Sequence, residues 1–203
     1  LRAQEPAITG SALPGMERFD TAVTGLLTRF SSPGAQLAVS YQGRLVLARG
    51  YGIADREAGN VPVQPDSLFR IGSCSKPLTS LAILALIEQG KLTLGTPVFP
   101  LLGLTPLPGA TNLDARLQTI TVQHLLNHTG GWDLNISGDL SVNSTQIATA
   151  AGVPAPADPD TIIRFHLGRR LDFDPGTRYA YANIGWIVLG QIIEKVSGQS
   201  YGD

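Results

Sequence analysis

The sequence holds one cysteine, Cys74, and one methionine among 203 residues. A lone cysteine excludes an intrachain disulfide and any cysteine-rich metal site. Charge is also sparse, at 15% of residues, and nearly balanced: 15 lysines and arginines stand against 16 aspartates and glutamates. Without long runs of either sign, nothing points to nucleic acid or an anionic membrane surface, and the expected partner is a small-molecule or peptide substrate. No apolar run approaches the roughly 20 residues of a membrane span, and the N-terminus lacks the basic-then-apolar pattern of a signal peptide. The polar opening from Leu1 to Gly15 resembles the lead of a mature exported protein, so a secreted or periplasmic location is expected. What is present is 43% apolar residues, enough for a proper core in a single fair-sized domain or in most of a bipartite fold.

The apolar pattern gives the organisation. Phe19, Val23, Leu26, Leu27 and Phe30 recur at helical spacing and predict an amphipathic helix from Gly15 to Phe30. Two β-rich runs follow, Ala35 to Tyr41 and Arg44 to Tyr51, joined by the hairpin signal Gln42-Gly43. After Ile71 the character turns helical, with helices expected over Ser73 to Gln89, Val122 to His128, Asp158 to Leu167 and Ile184 to Val196. Loops rich in Pro, Gly and Asn fill Pro106 to Asn112 and Gly130 to Ser144. Two strands cannot stand alone as a sheet. The sheet is therefore expected to be completed by strands from another segment, placing residues 1–76 in the sheet region and 77–203 in a helical region.

Ser73-Cys74-Ser75-Lys76 sits where the extended segment gives way to the apolar run beginning Pro77-Leu78. Residues three apart on a helix share a face, so the Lys76 amine can reach the Ser73 hydroxyl. Partial burial of an amine favours its neutral, proton-accepting form, and unpaired N–H groups of a first helical turn favour an oxyanion. The pair therefore suits a serine nucleophile and acyl transfer. The competing reading of Ser73 is a helix N-cap, and a chain of this size contains roughly one Ser-x-x-Lys by chance. Neighbours on a helix point about 100° apart, so Cys74 is expected to face away from such a site as a packed small side chain.

A second segment, Pro175-Gly176-Thr177-Arg178-Tyr179-Ala180-Tyr181-Ala182-Asn183, carries Tyr-x-Asn just before an apolar helix. Read alone, Tyr181 is a half-buried loop tyrosine and Asn183 an N-cap. Taken together with Phe69-Arg70-Ile71-Gly72 before Ser-x-x-Lys, and with Gln123-His124-Leu125-Leu126-Asn127-His128-Thr129-Gly130-Gly131 between the two, the order and spacing resemble the serine β-lactamase-like family. That family includes class C β-lactamases, D-alanyl-D-alanine carboxypeptidases, D-aminopeptidases and related esterases and transacylases.

The resemblance implies an α/β (α+β) fold of β-lactamase/transpeptidase type, a mixed antiparallel sheet region plus a helical region. It implies Ser73 as nucleophile, Lys76 as its proton acceptor or electrostatic activator, Tyr181 as the shuttle to the leaving group, and Asn183 as a substrate-binding donor. It implies no cofactor. It also implies a third motif, Lys-Thr-Gly or His-x-Gly, on a later strand. His128-Thr129-Gly130 matches those letters but precedes Tyr-x-Asn, so these residues alone are expected to be inactive and completed by a C-terminal segment, on the same or a separate chain. The function implied is serine hydrolysis of an ester, amide or β-lactam; the alternatives are a sensor that is acylated without turnover, a pseudoenzyme, or an acyltransferase.

His124 and His128 have the spacing of a metal pair, but Leu125 stands where a zinc protease would need glutamate and no third ligand is evident, so packing is expected and no metal. Trp132 and Trp186 read as packing residues, with Trp132 near enough to a long loop to border a substrate mouth. His166, beside Arg164, Arg169 and Arg170, reads as surface.

Overall fold

The computed structural model describes residues 6–203. The chain divides into two compact units, the first running to Arg70 and the second Ile71–Asp203. The turn that carries Ser73 thus falls in the second unit, where the boundary expected after residue 76 would put it in the first.

The first unit contains β1 (Ile8–Thr9), α1 (Glu17–Phe30), β2 (Gly34–Tyr41), β3 (Arg44–Asp55) and β4 (Val61–Pro62). Its antiparallel sheet has the order β1-β3-β2, with β4 also paired to β3. The hairpin forms where expected because Gln42 (φ 48°) and Gly43 (φ 74°) both take the left-handed conformation that a tight turn between twisted strands requires. Gly52 is needed within β3: its φ is +73°, and a Cβ there would lie 2.3 Å from the Pro33 carbonyl oxygen. Leu27, Leu47, Tyr51 and Val63 are buried, and the Tyr51 hydroxyl donates to Asp20 Oδ1 at 2.7 Å. Burial first, and then that carboxylate, push the Tyr51 phenol up to about 12. The two extra strands escape a reading of the sequence because each is two residues long, too short to show alternation.

The second unit begins with a 3-10 turn, Gly72–Ser75, that feeds directly into α2 (Lys76–Glu88). Then come α3 (Val98–Leu102), α4 (Val122–Leu126), α5 (Ser144–Ala151), α6 (Pro159–Leu167) and α7 (Ile184–Ser197). The apolar α7 forms the axis. Its Val188, Leu189 and Ile192 are fully buried among Ile83 of α2, Val98 and Phe99 of α3, and Leu125 of α4. Each such side chain contributes roughly 1.5–3 kcal/mol relative to exposure. Pro77 is tolerated because it lies in the first turn of α2, where its missing N–H has no helical partner to lose.

Asp158 starts α6 by accepting from the Thr161 backbone N–H at 2.7 Å. Asp158→Ala is expected to cost about 1 kcal/mol of stability, measured by urea denaturation, because that helical N–H loses its acceptor.

His166 corrects the sequence reading. It is buried, 6% exposed, because it lies one helical turn after Ile162 and so points into the core with it. Its Nε2 has no hydrogen-bond partner among the described residues, and burial, followed by the charge of Arg169, pushes its imidazole down to about 4, with Asp139 opposing. The unfolded chain takes up this proton near pH 6.5 and the folded protein only near 4. The neutral-His contribution is therefore whole above about pH 6.5 and is lost as pH falls through that window, by up to about 3 kcal/mol. Chemical denaturation from about pH 7 to 4 is expected to show this slope, and His166→Phe to flatten it. An unchanged slope would remove His166 as its source.

Candidate active site

Ser73 lies in the 3-10 turn before α2, and its hydroxyl does not cap the helix. It accepts from Lys76 Nζ at 2.9 Å and shares a hydrogen bond of 2.7 Å with the Tyr181 hydroxyl. Two residues on, the turn is closed off locally, with Ser75 Oγ donating back to the Gly72 carbonyl at 2.7 Å. Cys74 is exposed rather than packed, because this single turn buries none of its residues.

Lys76 also donates to Asn183 Oδ1 at 2.7 Å. Asn183 precedes α7 with helical backbone angles (φ −75°, ψ −30°) and makes no side-chain cap, which leaves its amide free for the lysine. Ser73 and Lys76, more than 100 residues from Tyr181 and Asn183 in the chain, are thus joined to them by one set of hydrogen bonds.

The Tyr-x-Asn segment hangs on the stretch after α4. Ala180 N–H donates to the His128 carbonyl at 2.9 Å, and Gly176 N–H to the Thr129 carbonyl at 2.8 Å. Ala182 N–H meets His128 Nδ1 at 3.2 Å, and the His128 ring stacks on Tyr181 with centroids 4.5 Å apart and planes 22° apart. The other His128 nitrogen faces Trp186 Nε1 at 3.1 Å. Burial, and then the charge of Lys76, hold the His128 imidazole below its ordinary value. The His-Thr-Gly letters therefore serve as the scaffold of Tyr181.

Tyr181 is held below the ordinary phenol range by its hydrogen bond with Lys76 first and with Ser73 second, against a smaller opposing effect of burial. The Lys76 amine sits 4.9 Å from the Tyr181 ring centroid and 5.8 Å from that of Trp186. Trp186 thus borders the constellation, whereas Trp132 is buried edge-on against Phe99 at 6.4 Å. His124 is engaged in a capping box with Thr121 at the start of α4, and no group of three or more His, Cys, Asp or Glu able to hold a metal occurs among the described residues.

Asp139 is the site member that sequence reasoning missed. Its Oδ2 accepts from Asn183 Nδ2 at 2.5 Å. No spacing rule marks an aspartate in a loop 44 residues upstream of its partner.

The beta-lactamase family profile matches residues 19–203 of this chain. The chain belongs to the beta-lactamase family. This beta-lactamase-family chain is similar to esterase EstB from Burkholderia gladioli, 32% identical over 186 residues that cover 90% of the chain and 45% of the relative. It is similar also to penicillin-binding protein 4 from Amycolatopsis lactamdurans, 35% identical over 196 residues, covering 92% of the chain and 43% of the relative. Among solved structures, the octameric penicillin-binding protein homologue from Pyrococcus abyssi superposes with a TM-score of 0.70 at 29% identity, covering 92% of this chain and 40% of that chain. EstCE1, a hydrolase with promiscuous acyltransferase activity, matches with a TM-score of 0.63 at 26% identity, covering 91% and 49%. The fold is β-lactamase/transpeptidase-like, as the motifs implied. The chain spans less than half the length of these relatives. No helix among the described residues is long and apolar enough to cross a membrane.

Proposed function

We propose that the protein is a serine hydrolase that cleaves an ester, amide or β-lactam through an acyl-Ser73 intermediate. The observation that carries this reading is the position of Ser73 Oγ within hydrogen-bond reach of both Lys76 Nζ, at 2.9 Å, and the Tyr181 hydroxyl, at 2.7 Å. A serine hydroxyl is a weak nucleophile until a neighbouring base takes its proton. Here two groups flank it, the Lys76 amine and the Tyr181 hydroxyl.

As Ser73 Oγ attacks the acyl carbon, its proton passes to this pair. The tetrahedral intermediate then collapses, the bond to the leaving group breaks, and Tyr181 returns the proton to the departing atom. Water attacks the acyl-serine in the second half and gives a proton to the same pair, which passes it to Ser73 Oγ as the acyl C–O bond breaks, releasing the carboxylic acid and restoring the serine hydroxyl. Asn183 orients the acyl substituent from beside Lys76.

A segment beyond these residues supplies the third motif and a second oxyanion-hole N–H, either in the same chain or as a separate one. The greater length of the relatives supports this, as does the fact that no strand follows β4 among the described residues. Loss of one such donor costs on the order of a hundredfold or more in rate. A secreted or periplasmic location fits substrates of the penicillin-binding type.

Turnover of a chromogenic ester and a chromogenic cephalosporin tests the reading. Steady release beyond one equivalent per protein is expected for the hydrolase. A single stoichiometric burst would make it an acylated sensor. Transfer of the acyl group to an added alcohol in place of water would make it an acyltransferase, a reading supported by the similarity to EstCE1.

A further inference from the structure

Asn183 is held between a donor and an acceptor. Its Oδ1 accepts from Lys76 Nζ at 2.7 Å and its Nδ2 donates to Asp139 Oδ2 at 2.5 Å. A lysine ammonium has donors only, and an ionised carboxylate has acceptors only. The two flanks therefore admit one orientation of the amide. Turned over, it would set N–H against N–H at Lys76 and oxygen against oxygen at Asp139. Asp139 is itself fixed: the hydroxyl of Ser141, a buried residue, donates to its Oδ1. The cap of α7 does not orient the amide, since Asn183 makes no side-chain cap there.

We propose that Asp139 is a positioning residue for acyl transfer, holding the Asn183 carbonyl toward Lys76 so that the lysine amine stays on Ser73 Oγ. This rests on the reading of Ser73 as nucleophile. Without an acceptor for Nδ2, the Asn183 amide rotates, and Lys76 loses one of the two contacts that place it. A hydrogen bond to a charged group is lost, so Asp139→Ala is expected to slow acylation about tenfold or more. Asp139→Asn keeps an oxygen for Nδ2 and is expected to stay within about threefold of the wild type.

The test combines stopped-flow acylation by a chromogenic cephalosporin with NMR of the intact protein labelled with 15N at asparagine. The Asn183 Nδ2 resonances are assigned by their loss in Asn183→Ala. The expected result is a slowed Asp139→Ala, a near-normal Asp139→Asn, and no further slowing when Asp139→Ala is added to Asn183→Ala. The amide resonances should exchange slowly with solvent in the wild type and shift toward a free amide in Asp139→Ala. The proposal is overturned by equal damage from Ala and Asn at position 139, by undiminished slowing in the Asn183→Ala background, or by amide resonances indifferent to Asp139→Ala. A wild-type protein that never acylates would end the nucleophile reading separately, and the amide resonances would still decide whether Asp139 holds Asn183.

Discussion

Ser73→Ala is expected to reduce acylation by a β-lactam or a fluorophosphonate ester to background, a loss of at least about a thousandfold, with the fold intact. The loss is large because the Ser73 hydroxyl is the group that stands between the Lys76 amine and the Tyr181 hydroxyl at hydrogen-bond distance from both. The fold survives because Ser73 is exposed and belongs to a turn that buries nothing, a setting in which substitutions usually change stability by within about 0.5 kcal/mol. Thermal melting of the variant is the control. Labelling that persists on Cys74, which is exposed and adjacent, would transfer the nucleophile to the thiol.

Tyr181→Phe is the second large effect. The phenylalanine ring keeps the stack on His128 at 4.5 Å, so the variant removes the hydroxyl while preserving the packing. General acid–base groups contribute about 10²–10⁴-fold, and a loss of that size in kcat/KM is expected. The pH profile gives the mechanism. Hydrogen bonds from Lys76 and Ser73 favour the phenolate and place Tyr181 below its ordinary value, so the wild-type rate should rise with pH to a plateau reached before the usual phenol range near about 10. In Tyr181→Phe that rise should move or disappear. A variant with the wild-type rate and profile would leave Tyr181 as no more than a neighbour of Ser73.

The long periodic elements were legible in the sequence. The helix over Glu17–Phe30, the hairpin with its Gln42-Gly43 turn, and the helices before Gly168 and Gly198 form within a few residues of their expected limits. α3 and α5 were not, for physical reasons. α3 has five residues with a proline among them, and α5 is rich in Ser and Thr, with only Ile147 and Ala148 turned to the core. α3 is too short, and α5 has too few core-facing positions, to show a 3.6-residue period.

At the site, three-residue spacing was enough to expect Lys76 beside Ser73, because they lie one helical turn apart. The approach of Tyr181 and Asn183 was expected only through family resemblance, since no local rule links positions more than 100 residues apart. His166 was misread because its arginine neighbours are polar, while burial depends on its own direction from the helix, which it shares with Ile162. His128 is expected from the sequence only to pack; which residues it packs on was not legible, and its ring supports Tyr181 while its backbone holds the Tyr-x-Asn segment.

The central claim is that Ser73 carries the acyl group. Peptide-mapped mass spectrometry of the full-length protein, with the segment that completes the site present, after brief incubation with an acylating β-lactam or a fluorophosphonate ester tests it most directly. The account predicts a single adduct of the mass of the acyl or phosphonyl group on the peptide containing Ser73, with fragmentation placing it on that residue. A protein left unmodified by both reagents, or modified at Cys74 or elsewhere, would contradict it.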